Sequence, residues 1–251
     1  MKEEWRYMKQ AVGVIGGIGP MATVYFMQRV IEMTKADCDQ AHINMMVLND
    51  CDIPDRTAFI TKRSDKNPLP VMIEDAQRLQ AAGCDFVVVP CNTAHYFYDE
   101  LQFRLTIPVV NIVSETIRYA KLLQPGMTHI GILATTGTLV AGTYQKYAHE
   151  AGIEAVVLDD KDQEKLMHII YDLVKAGKPV SREAFDEVAN ALRAKGAGMV
   201  VLGCTELSVI KRDLPITDDD VLDSIDVLAS ETVRRSGKPY TDECLLKRMD
   251  V

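Results

Sequence analysis

A chain of 251 residues with 47% hydrophobic and 25% charged side chains has a globular composition and the length for one large domain or two small ones. Its formal net charge of −8 argues against nucleic acid or an anionic membrane as general partners, since both are polyanions, but leaves open a small anion in a locally positive pocket. No apolar run reaches the length of a membrane span. The polar opening MKEEWRYMKQ reads as a short solvated extension without a signal-peptide core, and six cysteines with no C-x-x-C pair point to free thiols in a reducing cytoplasm.

In chain order, AVGVIG (11–16) reads as a buried strand. PMATVYFMQRVIEMT (20–34) reads as a helix with Pro20 in its first turn, where a missing N–H costs nothing. INMMVLN (43–49) is the next strand. Residues 50–68, polar and carrying Pro54 and Pro68, read as a long loop and a candidate mobile cover. A helix over 69–83 ends at Gly83, a strand covers 85–90, and a short helix and strand follow near 93–104 and 107–112. The pattern then restarts with a strand at 128–135, a helix at 138–151 and a strand at 153–158. Helices at 162–176 and 181–195, the second with Ser181 as N-cap, precede a strand at 198–203, a solvated acidic run at 218–220 and a helix at 221–235. This alternation predicts an α/β fold with mainly parallel sheets.

The restart is a repeat. Six residues in the window 76–91, namely Ala76, Leu79, Gly83, Val87, Val88 and Cys91, recur 113 positions later as Ala189, Leu192, Gly196, Val200, Val201 and Cys204. Gly13 and Gly19 likewise correspond to Gly131 and Gly137 at an offset of 118. Any two helix–strand units share apolar matches, but the common glycine-to-cysteine interval favours a duplication. Open α/β sheets hold ligands at the C-terminal ends of their strands, so two such units facing across a cleft would direct Cys91 and Cys204 at one ligand from opposite sides.

Each cysteine stands between a strand end and an expected helix start, where the helix dipole favours an anion and lowers a thiol pKa. Two thiols on opposite faces of one carbon suit acid–base work at a stereocentre, one removing a proton and the other returning one. Asn92, Thr93, Thr205 and Glu206 follow the cysteines and Thr135, Thr136 and Thr138 follow the restarted strand; their polar groups can hold a carboxylate and an ammonium. A lone nucleophilic cysteine, as in a same-fold isomerase or hydrolase, remains open. The glycines at 13, 16, 17 and 19 could belong to a dinucleotide site with Asp50 as its acid, or form a tight turn lining the cleft, the better reading. His95, four residues after Cys91, reads as a packed neighbour of the cysteine. The other histidines are scattered, so no metal site is expected. By residue type alone Arg56 and Lys175 are surface charges.

VGVIGGIGPMAT, DIPDRT, PCNTAH and GCTEL, in that order and with both cysteines in place, resemble the cofactor-independent aspartate/glutamate racemases, and among them most the aspartate racemases. The likeness runs from about Ala11 to about Arg235. It implies two pseudo-twofold-related three-layer α/β domains, 1–114 plus 218–251 and 115–217, with the active site in the cleft between them and a homodimer as the assembly. It implies racemisation of a small amino acid, aspartate, with no cofactor and no metal; glutamate or a broader substrate range is the alternative. Cys91 and Cys204 match the catalytic pair, the second handling the proton of the L-enantiomer and the first that of the D-enantiomer. Asn92 and Thr93 match residues that bind the α-carboxylate or amine. Arg56 matches an arginine that pairs with the side-chain carboxylate, and Lys175 a second cation at that end.

Overall fold

A computed structural model describes residues 10–214 and 216–248. The polar opening expected as a solvated extension lies outside them up to position 9. The first half runs β1 (Ala11–Gly16), α1 (Pro20–Met33), β2 (Asn44–Asn49), α2 (Arg56–Ile60), α3 (Leu69–Ala81), β3 (Phe86–Val88), α4 (Tyr98–Phe103), β4 (Val109–Val110) and α5 (Ile112–Leu123). The second runs β5 (His129–Leu133), α6 (Thr136–Ala141), α7 (Thr143–Glu150), β6 (Glu154–Val156), α8 (Asp160–His168), α9 (Arg182–Ala194), β7 (Met199–Leu202), α10 (Thr205–Asp213), β8 (Val221–Asp223) and α11 (Ser224–Arg235), with α12 (Leu245–Arg248) after it. Each half forms a four-stranded parallel sheet, ordered β2-β1-β3-β4 and β6-β5-β7-β8.

The expected α/β class with parallel sheets is therefore present twice, and the repeat extends to residue register. Gly13 pairs with Val87 across β1 and β3, and Gly131 with Val200 across β5 and β7. A methyl added to Gly13 would lie 3.0 Å from Leu79 Cβ, and one added to Gly131 would lie 2.9 Å from Leu192 Cβ. Glycine at these positions lets α3 lie directly on β1 and α9 directly on β5. After the fourth strand of each sheet comes an N-cap, Asn111 accepting from the Val113 and Ser114 amides and Asp223 accepting from the Ile225 amide.

Strand alternation sorts the apolar side chains into three cores. Val12, Val14, Phe86 and Val88 of the first sheet share one continuous core with Ile130, Ile132, Met199 and Val201 of the second, filled by α1, α5 and α11. Ile15, Val87 and Val89 face a separate core under α3, and Leu133, Val200 and Leu202 face another under α8 and α9. Each sheet thus has helices on both sides, and the central core joins the halves.

Four local expectations need correction. Val221–Asp223, expected as the start of a helix, is strand β8, which pairs with β7 in the second sheet; the helix begins only after the Asp223 cap. The expected helix over 138–151 starts at Thr136 and breaks at Gly142, whose φ of +67° ends α6 before α7 begins. The stretch 50–68 is not all loop: Asp55 caps the short helix α2. The acidic run at 218–220 is not simply solvated, because Arg182 binds Asp218 at 2.8 Å and Arg193 binds Asp220 at 2.6 Å. No described helix is long and apolar enough to cross a membrane.

Gly131→Ala should destabilise the protein by about 1–3 kcal/mol through overpacking against Leu192 and Ala197. Gly126→Ala, where an added methyl meets nothing within 4 Å, should stay within about 0.5 kcal/mol. Urea midpoints of the two variants check the contrast.

Candidate active site

The C-terminal ends of five strands deliver side chains to one buried cavity. Ile18 follows β1, Asp55, Arg56 and Thr57 follow β2, Cys91, Asn92 and Thr93 follow β3, Thr135 follows β5, and Cys204, Thr205 and Glu206 follow β7; Tyr171 and Lys175 complete the lining. All eight residues expected at the site line this cavity. Its volume is about 10 Å³, room for about one water. It adjoins a chamber of about 340 Å³ that shares Ile18, Asp55, Arg56, Lys175 and Glu206 with it and adds Met21, Cys51, Ile53, Val174 and Val209. Gly17 and Gly19 of the turn after β1 line this chamber.

The two cysteines meet different partners. Cys204 is the N-cap residue of α10, and its thiol donates to Glu206 Oε2 at 3.0 Å. Burial, then the Glu206 carboxylate, pushes this thiol well above its ordinary range. That reverses the expected effect of the helix start: desolvation and a carboxylate in contact outweigh a dipole. Glu206 itself is buried, which opposes its charge, yet its pKa lies below the ordinary value because Lys175 Nζ stands 2.9 Å from Oε1 and the Cys204 thiol donates to it. Lys175, whose side chain is half-buried, is held charged against the cost of its partial desolvation, chiefly by Glu206 and then by Cys204 and Cys91.

Cys91 is followed by a 3₁₀ turn, Thr93–Phe97, rather than directly by an α-helix. Its neighbour is Arg56, at the start of α2. Arg56 is 7% exposed, so the surface-charge reading of this residue is overturned. Its Nη1 donates to the carbonyls of Ile53 (3.3 Å) and Pro54 (2.9 Å), and its Nε is buried without a hydrogen-bond partner. Burial works against the Arg56 charge, and Cys91 and Asp55 more than offset it.

The polar residues around the cysteines tie the halves together. Asn92 donates to Ser224 Oγ at 2.9 Å and accepts from Tyr144 at 2.7 Å. Thr93 Oγ1 lies 3.0 Å from Thr135 Oγ1 and 2.8 Å from Thr138 Oγ1, and Thr57 donates to Thr135 at 3.2 Å. Gly137 allows this approach, since a Cβ there would come within 2.8 Å of Thr57 Cα. Its counterpart Gly19 faces Glu206 of the other half, where an added methyl would lie 3.2 Å from Oε1. Thr57, although it closes the DIPDRT motif, and Tyr171 were not singled out as site residues from the sequence. Tyr171 donates to Asp55 Oδ2 at 3.2 Å and lies under the Lys175 ammonium; the π-helical turn at Ile169–Val174 that presents it replaces an expected continuous helix. Among the described residues no group of three or more His, Cys, Asp and Glu side chains could hold a metal.

His95 is the packed neighbour expected from its spacing. The Ile112 amide donates to its Nε2 at 3.2 Å, so the proton sits on Nδ1, which donates to the Cys91 carbonyl at 2.9 Å. It therefore fixes the chain just after β3 against the start of α5.

A fold built from two parallel sheets, with paired thiols and two cations in a common cavity at their strand ends, defines an α/β enzyme with a duplicated scaffold. The model of the Asp/Glu/Hydantoin racemase family matches residues 15–232, and the chain belongs to that family. The broad specificity amino-acid racemase RacX of Bacillus subtilis is 27% identical over 229 residues, covering 88% of this chain and 96% of RacX. The aspartate racemase of Picrophilus torridus superposes with a TM-score of 0.80 at 27% identity, covering 96% of this chain and all of that one. An aspartate racemase homologue from Pyrococcus horikoshii OT3 superposes at 0.71 with 25% identity, covering 92% of this chain and all of that one.

Burial holds the His95 pKa below its ordinary 6.5, and the carbonyls of Cys91 and Val110, 2.9 and 3.3 Å from its ring nitrogens, oppose this only in part. Below about pH 6.5 the unfolded chain therefore binds a proton that the folded one refuses, and stability falls as pH falls. His95→Gln should reduce the slope of unfolding free energy between pH 7 and pH 5, measured by urea denaturation across that range.

Proposed function

We propose that this racemase interconverts L- and D-aspartate without a cofactor, by proton transfer at the α-carbon between two thiols. The observation that carries this reading is a single buried cavity lined by Cys91, Cys204, Arg56 and Lys175 together. A thiolate on one side removes the α-proton, and a thiol on the other protonates the resulting carbanion on its opposite face. The different partners of the two cysteines suit that division: Arg56 is the cation beside Cys91, and Cys204 is a thiol hydrogen-bonded to Glu206.

Arg56 and Lys175 receive the side-chain carboxylate. The partnerless Nε of Arg56 is a buried donor in want of an acceptor, and a guanidinium is well matched to a carboxylate. Asn92, Thr93, Thr135 and Thr205 surround the α-carboxylate and ammonium. These fixed polar groups strengthen their contacts as charge develops on the substrate.

A broader substrate range is the second reading. It is favoured by the adjoining chamber, where Ile18, Met21, Ile53, Val174 and Val209 offer apolar surface to a longer side chain, and by the activity of the RacX relative.

Cys91→Ala and Cys204→Ala should each lower racemisation of aspartate by about 10²- to 10⁴-fold, followed by chiral chromatography of both enantiomers; near-normal rates in both would refute the two-thiol mechanism. In the same assay Arg56→Ala should lower kcat/KM for aspartate by about 10²-fold. An enzyme of broad range would instead keep its rate on a neutral amino acid and prefer it to aspartate before the change.

A further inference from the structure

Cys204, Glu206 and Lys175 form a contiguous chain of three ionisable groups, with 3.0 Å from sulfur to Oε2 and 2.9 Å from Oε1 to the ammonium. Resting on the racemase reading above, a difficulty arises whenever Cys204 must act as the base. A thiolate 3.0 Å from an ionised carboxylate is the like-charge arrangement in which one of two acids keeps a proton. The other half has no such group, because the position equivalent to Glu206 is Thr93.

We propose that Cys204 and Glu206 hold one proton between them, and that Lys175 sets its place. While Lys175 sits on Glu206, the carboxylate stays ionised and the proton stays on sulfur. When the side-chain carboxylate of a dicarboxylic amino acid draws Lys175 away, Glu206 loses its counter-ion and takes the proton. The S–H bond of Cys204 breaks, an O–H bond forms on Glu206, and the thiolate appears only with such a substrate in place. The thiolate then takes the α-proton, and the carboxylic acid beside it donates a hydrogen bond to sulfur. A neutral side chain leaves Lys175 where it is, so the dyad selects for a second carboxylate.

The groups facing this dyad are Lys175 and Tyr171 from the segment after α8, Arg56 from α2, Tyr144 from α7, and Cys91 across the cavity, which interacts with Lys175. Of these, Lys175 alone makes an ion pair with Glu206. Burial and the Lys175 contact agree with this placement of the proton in the unliganded protein, a neutral Cys204 beside an ionised Glu206.

The test uses partial reactions. In Cys91→Ala protein, Cys204 is the cavity's remaining thiol and can exchange the α-proton of one aspartate enantiomer with D₂O without inverting it, followed by NMR. Proton transfer within the dyad needs no proton released to bulk, so this exchange should vary little between pH 6 and pH 8. Adding Glu206→Gln should slow it at pH 7 by about tenfold or more, with a rate that climbs as pH rises, because the proton must now leave the site. Glu206→Asp should restore part of the rate and the flat profile. In Cys204→Ala protein, where Cys91 exchanges the opposite enantiomer, Glu206→Gln acts only through Lys175 and substrate binding, so the loss should be smaller and the pH profile should keep its shape. Adding Lys175→Met to the Cys91→Ala protein should narrow the gap between aspartate and alanine exchange. Unchanged pH profiles in the Gln variant, or equal losses in both single-thiol proteins, would overturn the dyad while leaving the racemase reading intact. Absence of exchange from either enantiomer in both single-thiol proteins would overturn that reading, and the dyad with it. Circular dichroism of each variant separates loss of fold from loss of exchange.

Discussion

The meeting of Arg56, Lys175 and Glu206 with two thiols around a space for about one water is the constraint on which the rest of the structure depends. Charges taken out of water must be balanced by one another. Glu206 is kept ionised by Lys175 and Lys175 is kept charged by Glu206, while Arg56 is anchored by two carbonyls and faces Cys91. Removing Lys175 or Glu206 leaves the other without its counter-ion. The walls of the cavity must therefore be held in register by the scaffold.

That register comes from the duplicated fold. The two sheets share a central core through α1, α5 and α11, so the halves are not free to choose their separation. Glycines at equivalent positions make the contact close on both sides, Gly19 against Glu206 and Gly137 against Thr57. The backbone is nearly symmetric, but the side chains are not. Asn92 corresponds to Thr205, Thr93 to Glu206 and His95 to Ser208. His95 links the Cys91 carbonyl to the start of α5, whereas Ser208 donates to the Asp223 cap of α11 at 2.6 Å. Two copies of one scaffold thus give two cysteines with unlike surroundings.

Much of this was legible from residue patterns. Short β-branched runs between amphipathic helices gave the α/β alternation, and the 113-residue offset between the cysteines found the repeat, because both signals are local along the chain. Misreadings fell where a neighbour in space decides the local structure. β8 is three residues long, too short for a periodicity, and is a strand because β7 lies beside it. The stretch 50–68 is polar in composition, yet the Asp55 cap folds Arg56 inward.

The sequence by itself determined the parallel α/β units, their duplication and the two cysteine positions, since these follow from hydrophobic spacing and identity within continuous segments. Its motifs also singled out Arg56 and Lys175 by likeness, although their residue types alone suggested solvent. Only the tertiary structure decided that Arg56 is buried, that the ammonium of Lys175 reaches the cavity to pair with Glu206 and that the Cys204 thiol is pushed up by burial and by Glu206. Those properties depend on desolvation and on distances of about 3 Å between groups far apart in the chain, which no local pattern records.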